Sequence, residues 1–245
     1  MDRPYLLHRD PEDLRDRHFC SLDFRTPGML PAHADLRLEM SPVVDQGHLG
    51  SCTANAIASG LKEYWLNKTA QWTQLSRLYL YYHERVIEGR VGEDSGASIR
   101  VGMKVLQKLG VCPERDWPYD PKKFADEPVP IAELDAEQYR ILSYSKIRSL
   151  ALMRAALASG QPVVFGMEVY AAFESARVAR TGKMTMPRRG ERMLGGHAVL
   201  AVGYDDAARL VIVRNSWGPE WGDKGYFYLP YGYWENLVFD MWTGE

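Results

Sequence analysis

Residues 46–56, QGHLGSCTANA, surround a cysteine with features that would make a thiol reactive. Small residues precede Cys52 and apolar residues at helical spacing follow it, which predicts a helix over 53–66 with Ser51 as its N-cap. The free N–H groups and the dipole at a helix N-terminus favour a thiolate over a thiol. The Gln46 amide and the Cys52 backbone N–H could together hold an oxyanion. The pattern indicates a nucleophile with its oxyanion hole, although a lone cysteine is more often an inert core thiol.

A histidine and an asparagine further along the chain complete a set that suits nucleophilic catalysis. A cysteine nucleophile needs a base that takes its proton and returns it to the leaving group. Of the six histidines, His197 stands at the start of a predicted strand, directly after two glycines. The Asn215 side-chain carbonyl could accept the imidazole N–H and orient the ring, and Trp217 could cover that hydrogen bond. Taken singly, these residues would be a structural histidine, a turn asparagine and a core tryptophan.

Composition and charge restrict the other functions. The 245-residue chain is 46% hydrophobic and 25% charged, as an ordinary globular protein is. Its formal net charge of −2 gives no reason to expect nucleic acid or a membrane surface as a partner. No histidine pair has the spacing of a metal site, so neither a metal nor a cofactor is expected. Peptide or protein substrates are the expected partners, and a monomer is the expected state.

The cysteines and the N-terminus bear on the compartment. Cys20, Cys52 and Cys112 cannot form a disulfide framework, because an odd number leaves at least one free thiol. Residues 1–30 contain no apolar run that resembles a signal peptide, and no segment approaches the ~20 apolar residues of a membrane span. We therefore expect a cytoplasmic protein or one exported by a signal-independent route.

The two halves of the chain differ in their predicted secondary structure. The first half is mainly helical and the second, after a proline-rich connector, consists mainly of short apolar runs between Gly and Asp turns. Helices are predicted over 53–66, 74–88, 99–109 and 149–158, and strands over 139–147, 163–169, 198–204, 210–214 and 225–229. These elements predict an α+β protein with a mainly helical part over about 30–135 and a mainly β part over about 136–245.

Several motifs in this order resemble the papain family of cysteine proteases. They are Gln46 with Cys52, residues 196–204 (GHAVLAVGY), residues 215–218 (NSWG) and residues 221–226 (WGDKGY). Cys52 and His197 lie 145 positions apart, within the spacing of that family. The resemblance covers about 30–229. It implies a papain-like α+β fold of two subdomains, a helical left one and an antiparallel, β-barrel-like right one, with the active cleft between them.

The resemblance also implies a role for each matched residue. Cys52 would be the nucleophile, His197 the general base and acid, and Asn215 the residue that orients the imidazole. Gln46 and the Cys52 N–H would form the oxyanion hole, and a thiolate–imidazolium pair would attack a peptide carbonyl and form an acyl-enzyme. The implied substrate-binding residues are Gly50, Ser51, Gly96, Ala97, Gly196 and Trp217. The expected function is that of a cysteine-type endopeptidase. The alternatives are an exopeptidase or isopeptidase with the same chemistry, and a papain-fold binding or effector module with weak catalysis.

The sequence departs from the family pattern beside the nucleophile and at the N-terminus. Thr53 stands where papain and the lysosomal cathepsins have tryptophan, and Leu49 where a disulfide cysteine is usual, which indicates a bacterial-type or cytosolic branch. Residues 1–29 form an extension that precedes a peptidase domain over 30–245. The mixed charge of this extension favours a solvated arm. Its position before a mature-like start at Leu30 supports a second interpretation, a short pro-segment or lid packed along the cleft.

Overall fold

The fold is built around a helical segment that begins at Cys52. The structure, a computed structural model, describes residues 3–20 and 30–245. The segment consists of α1 (Cys52–Ala54), a π-helix (Asn55–Lys62) and α2 (Glu63–Lys68). Ile57 and Leu61, which are one helical turn apart, are fully buried, so this face packs into the core. The predicted helix is present, and its π-helical middle was not predicted.

The other helices surround this segment or cover the sheet. Ser76 caps the next helix by accepting the Tyr79 N–H at 3.1 Å, and Gly89 ends that helix with a positive φ of 71°. The predicted helices start and end within a few residues of the observed ones, but α5, α7 and α8 were not predicted. The helices are α3 (Arg77–Glu88), α4 (Ile99–Lys108), α5 (Pro130–Ala136), α6 (Leu150–Ala158), α7 (Ala176–Thr181) and α8 (Tyr231–Leu237), with 3₁₀ turns at Arg37–Glu39, Pro121–Lys123, Glu137–Tyr139 and Ala171–Glu174.

Seven strands form one antiparallel sheet. They are β1 (His33–Asp35), β2 (Tyr144–Ile147), β3 (Val163–Tyr170), β4 (Met193–Asp205), β5 (Leu210–Arg214), β6 (Tyr226–Pro230) and β7 (Val238–Gly244). The strand order is β2-β7-β3-β4-β5-β6, with β1 paired to β4. The outer strands β2 and β6 do not pair with each other, so the predicted barrel-like sheet is open. β7 was not predicted, although it lies between β2 and β3.

Buried apolar side chains form two clusters, one that the helices of the first half share with strands β3 to β7 and one within the second half of the chain. The first contains Leu78 and Met103 from the helices, and the second contains Phe165 and Val199 from the sheet. Trp242 of β7 belongs to the helical cluster, so the C-terminal strand connects the two. Burial of each large apolar side chain contributes about 1.5–3 kcal/mol to folding. The arrangement agrees with the predicted α+β fold of two subdomains.

The described part of the N-terminal extension, residues 3–20, lies against the rest of the protein. The Phe19 N–H donates to the Lys146 carbonyl at 3.0 Å, and Leu7 is only 8% exposed. The expected solvated arm is therefore wrong for these residues. Its mixed charge is misleading because charged side chains of the arm, such as Arg9 and Asp16, pair with Glu168 and Arg100 of the folded domain. Residues 1–2 and 21–29 of the extension lie outside the described residues.

Asp10 holds the middle of this arm against α4 and β7. Its carboxylate accepts the Trp242 indole N–H at 2.7 Å and the Arg100 backbone N–H at 3.0 Å. The Asp10 backbone N–H donates to the Asp240 carboxylate at 2.6 Å. Burial, together with the nearby negative charge of Asp240, raises the pKa of Asp10 to about 6.

This raised pKa predicts a pH-dependent effect of Asp10→Asn on stability. A carboxyl group whose pKa is higher in the folded than in the unfolded state contributes most at low pH, and that contribution is lost as the pH rises through about 6. The asparagine cannot ionise, so the variant avoids that loss. The stability of the variant relative to wild type should rise between pH 4.5 and pH 7.5, by on the order of 1–3 kcal/mol.

Thermal unfolding of both proteins at the two pH values measures this difference. Glu12→Gln, an exposed change in the same arm, is the matched control and should show no such trend. A difference between Asp10→Asn and wild type that does not change with pH would contradict the prediction.

Candidate active site

The site lies where α1 packs against β4. Cys52 is the first residue of α1 and is 2% exposed. Ser51 occupies the N-cap position, but its side chain does not cap the helix as expected. Its hydroxyl instead bonds to the Tyr119 hydroxyl at 2.7 Å and accepts from the Asn55 amide at 3.0 Å. These bonds fix the backbone turn that presents Cys52 at the helix N-terminus.

His197 and Asn215 form a hydrogen-bonded pair beside this helix. His197 lies on β4, opposite Met167 of β3, and Asn215 follows β5 directly. The imidazole Nε2 and the Asn215 Oδ1 are 2.9 Å apart, and Oδ1 also accepts the Ser216 backbone N–H at 2.9 Å. This contact assigns the proton of the neutral ring to Nε2 and leaves the other ring nitrogen free. The Trp217 ring stacks on the imidazole, with centroids 5.2 Å apart and planes at 29°.

Gln46 is buried, and hydrogen bonds at both ends of its amide hold it in place. The Ser216 hydroxyl donates to its Oε1 at 2.6 Å, while its Nε2 donates to the Leu49 carbonyl at 2.9 Å. The Gln46 backbone N–H also donates to the Ser216 carbonyl at 2.9 Å. Since the amide nitrogen carries two hydrogens, the second is available to a ligand.

The expected substrate-binding residues border a groove that the N-terminal arm occupies. The Leu7 N–H donates to the Gly196 carbonyl at 3.2 Å, and the His8 N–H donates to the Ala97 carbonyl at 3.1 Å. Gly96 has a positive φ of 71°, and a Cβ there would overlap the Leu6 carbonyl. Gly196 belongs to the sheet, whereas Gly96 and Ala97 belong to the helical half. The arm therefore runs between the two subdomains.

Gly50 and Trp217 complete the contacts between the expected substrate-binding residues and the arm. A Cβ on Gly50 would lie 2.9 Å from the Leu6 side chain. The Arg3 guanidinium lies 4.6 Å above the Trp217 ring, at the opposite end of the arm segment from His8. Ser51 is the exception among the expected substrate-binding residues. Its hydrogen bonds to Tyr119 and Asn55 hold the turn before Cys52.

Burial under the arm sets the charge state of the site. It raises the pKa of the Cys52 thiol to about 12 and lowers the pKa of His197 to about 4. The Tyr5 ring, 6.1 Å from the imidazole, is part of this cover. Desolvation therefore favours the neutral forms of both groups in the covered site.

Metal-binding and membrane-spanning features were also searched for. In residues 3–20 and 30–245, no group of three or more His, Cys, Asp and Glu side chains is placed to hold a metal ion. No described helix is both long and apolar enough to cross a bilayer. All three cysteines are free: Cys20 is exposed, and Cys52 and Cys112 are buried.

Comparison with known proteins decides the family. The sequence model of the papain family cysteine proteases matches residues 30–237. The chain belongs to the papain family of cysteine proteases. Its membership makes it a cysteine-type peptidase, as the resemblance of the motifs around Cys52, His197 and Asn215 implies.

Individual relatives agree with this family. A peptidase C1-like protein of Acanthamoeba polyphaga mimivirus is 43% identical over 211 residues, which cover 81% of this chain and 68% of that protein. Thiol protease aleurain of Arabidopsis thaliana is 29% identical, and the match covers 84% of this chain but only 58% of the relative. The crystal structure of Xylellain, a cysteine protease from Xylella fastidiosa, superposes with a TM-score of 0.87 at 38% identity, covering 100% of this chain and 98% of that one. This bacterial neighbour agrees with the expected bacterial-type branch.

Asp94 and Tyr81 connect two loops of this papain-family site, and the sequence did not point to either. The Asp94 carboxylate accepts the Gly50 N–H at 3.0 Å and the Tyr81 hydroxyl at 2.6 Å. The Tyr81 oxygen in turn accepts the Gly96 N–H at 3.0 Å. Gly50 adjoins Leu49, where a disulfide cysteine is usual in the family. The Asp94 carboxylate, together with Tyr81, thus joins the loop before Cys52 to Gly96, which lies along the groove.

This connection predicts that Asp94→Asn impairs catalysis more than folding. Oδ1 of the aspartate accepts from both the Tyr81 hydroxyl and the Gly50 N–H, and Oδ2 also accepts from Gly50 at 3.1 Å; an asparagine puts an NH₂ group in place of Oδ2 and loses that last bond. Loss of one hydrogen bond to a charged acceptor costs about 1.5–3 kcal/mol, so kcat/KM should fall about tenfold or more. Peptidase assays and urea unfolding of the same samples separate the two effects.

Glu93→Gln is the matched control, because Glu93 is the exposed neighbour of Asp94 and should leave kcat/KM unchanged. Equal kcat/KM for Asp94→Asn and wild type would show that this carboxylate does not position the site. A loss of stability without a change in kcat/KM would assign it a purely structural role.

Proposed function

We propose that the protein is a cysteine-type endopeptidase in which Cys52, His197, Asn215 and Gln46 carry the reaction. The observation that supports this most directly is the 2.9 Å contact between His197 Nε2 and Asn215 Oδ1, next to a helix that begins at Cys52. The hydrogen bonds that hold the Gln46 amide support its role in the oxyanion hole.

The proposed reaction starts when the arm leaves the groove and water reaches the site. His197 takes the Cys52 proton on the ring nitrogen that does not contact Asn215. The thiolate attacks the peptide carbonyl carbon, and the new oxyanion accepts from the Gln46 amide and the Cys52 N–H. His197 then protonates the leaving nitrogen, and the C–N bond breaks to give a thioester. Water, deprotonated by His197, hydrolyses the thioester and restores the thiol.

The path of the arm favours an endopeptidase over an exopeptidase. Arg3 lies over Trp217 at one end of the groove, and the His8 N–H bonds to Ala97 at the other. An extended segment therefore fits on both sides of the nucleophile. An exopeptidase instead needs a group that closes one side and binds a chain terminus.

Leu7 indicates which side chain the groove prefers. It is 8% exposed and projects toward Gly166, where a Cβ would lie 2.7 Å from its Cδ2. The Phe239 ring borders the same space, and Gly196 forms its floor. We propose that this pocket takes an apolar substrate side chain before the cleaved bond, because aliphatic groups gain most from such burial.

We further propose that the arm inhibits the enzyme while it is docked. It occupies the groove through backbone hydrogen bonds to Gly196 and Ala97, and its cover keeps the thiol and the imidazole neutral. Both effects act against catalysis, the first by excluding substrate and the second by removing the nucleophile.

The peptidase proposal predicts specific labelling of Cys52 by an epoxysuccinyl inhibitor of thiol proteases. Intact mass should show one adduct on the protein that starts at Leu30 and none on its Cys52→Ala variant, and His197→Ala should slow labelling at least 100-fold. Cleavage of an internally quenched peptide with both termini blocked would distinguish an endopeptidase from an exopeptidase. Absence of any adduct on a folded sample would contradict the proposal and favour a binding module.

The arm proposal predicts that Leu7→Asp in the full chain speeds labelling. A carboxylate cannot occupy the apolar pocket at low cost, so the arm should dissociate more often and the rate should rise about tenfold or more. The matched control is Leu14→Asp, because Leu14 belongs to the same arm and is fully exposed. Equal rates for the two variants would contradict inhibition by the arm and leave the peptidase proposal standing.

A further inference from the structure

The segment that joins β3 to β4 carries many basic side chains. Residues 171–192 contain six of them and two acidic residues, in a chain whose formal net charge is −2. All six are exposed, and within residues 3–20 and 30–245 none forms an ion pair or donates a side-chain hydrogen bond. They are Arg177, Arg180, Lys183, Arg188, Arg189 and Arg192. The first five are called the basic face below.

The two acidic residues of the segment do not bind the basic side chains. The Glu191 carboxylate accepts the backbone N–H groups of Ala172 and Arg188 at 2.7 and 2.8 Å. The Glu174 carboxylate accepts the Tyr5 hydroxyl at 2.8 Å. The basic face therefore presents its charges to solvent, where clustered positive charge attracts an anionic ligand.

The basic face borders two adjoining depressions in the surface. One has a volume of about 630 Å³ and includes Arg180, and the other has about 650 Å³ and includes the exposed Met186. Arg177 and Lys183 line both, so the two form one continuous surface. A concave surface of this size can hold several residues of a peptide, which a convex patch cannot.

This surface is connected to His197 through two aromatic side chains, Trp217 and Phe173. Trp217 stacks on His197, and the Phe173 ring lies 5.0 Å from Trp217 and 6.4 Å from the imidazole. Phe173 lies in the 3₁₀ turn that precedes α7, which carries Arg177 and Arg180. The basic face therefore extends from the Trp217 end of the groove, away from the pocket that holds Leu7.

We infer that the basic face binds acidic residues of the substrate on the C-terminal side of the cleaved bond. This inference rests on the proposed endopeptidase function and names its substrate class: a protein segment with an apolar residue before the bond and several Asp or Glu residues after it. A peptide suits the site better than nucleic acid because the adjoining groove already holds a peptide strand, the N-terminal arm.

The test compares internally quenched peptides that share the residues before the cleaved bond and differ only after it. One carries glutamates after the bond, a second glutamines and a third lysines, and the enzyme is the full chain with Leu7→Asp. We expect kcat/KM for the glutamate peptide to exceed that for the glutamine peptide about tenfold at low salt, with the lysine peptide lowest. The preference should shrink in 0.5 M salt, because screening weakens exposed charge pairs. Equal kcat/KM for the three peptides would overturn the inference.

Charge reversal locates the effect. The triple variant Arg177→Glu, Lys183→Glu and Arg189→Glu should lose the preference for glutamate, so that the ratio of kcat/KM for the glutamate peptide to kcat/KM for the glutamine peptide falls to about one or below. The matched control reverses three exposed lysines on the helical half, Lys108→Glu, Lys122→Glu and Lys123→Glu, with the same change in net charge. It should keep the preference. Loss of preference in both triples would mean general electrostatic attraction and would overturn a site at the basic face.

A binding measurement separates failure of this inference from failure of the proposed function. Rhodamine-labelled tetraglutamate should bind the catalytically inert, full-chain Cys52→Ala variant more tightly than tetraglutamine does, and the basic-face triple should abolish this difference. This result would support the inference even if no peptide were cleaved. Tighter binding of a single-stranded oligonucleotide than of tetraglutamate, lost in the same triple, would overturn it in favour of nucleic acid.

Discussion

The reciprocal hydrogen bonds between Gln46 and Ser216 are the interaction on which the geometry of the site depends. Gln46 precedes the nucleophile helix, and Ser216 directly follows Asn215, so these bonds join the oxyanion loop of one half to the imidazole-orienting residue of the other. The two halves also share an apolar cluster, in which helical residues such as Leu78 pack with sheet residues such as Leu200. A neutral hydrogen bond adds only about 0.5–1.5 kcal/mol, but a buried amide left unpaired costs about 1–3 kcal/mol. The pair therefore selects one alignment of the two halves more than it stabilises them.

The arm acts on this alignment through desolvation as well as through occupancy. A helix N-terminus stabilises an anion by roughly 0.3–1 kcal/mol, whereas burial of an unpaired charge costs several times more. Burial favours the neutral thiol and the neutral imidazole for this reason. In the proposed mechanism, a peptide strand can thus lie across Cys52 and His197 without being attacked. Departure of the arm would return water to both groups and favour their charged forms.

The proposed catalytic set could be assembled from the sequence because each member sits in a local motif. Cys52 follows small residues at the start of a helix. His197 follows two glycines at the start of a predicted strand, and Asn215 follows another predicted strand and precedes Trp217 by two positions. Asp94 and Tyr81 could not be found in this way, because a loop and a helix bring them to Gly50 and no periodicity marks them. The average composition of the arm hides the individual residues that make its contacts, among them Tyr5, Leu7 and Asp10. The strand β7 escapes prediction because it follows directly on an unpredicted helix and its burial does not alternate.

The Asp94 connection differs from a disulfide in a way that affects the whole chain. A disulfide persists in the unfolded chain and restricts it, whereas the hydrogen bonds of Asp94 to Gly50 and Tyr81 exist only in the folded protein. The Asp94 connection therefore positions the loop but does not restrict the unfolded chain. The stability that a disulfide could add must come instead from burial of apolar side chains. The C-terminal strand supplies part of it, because Trp242 of β7 is fully buried among helical residues while β7 pairs with β2 and β3. Because hydrogen bonds and not a disulfide form the Asp94 connection, reducing conditions do not break it. The loop before Cys52 therefore keeps this connection under the conditions that keep the Cys52 thiol free.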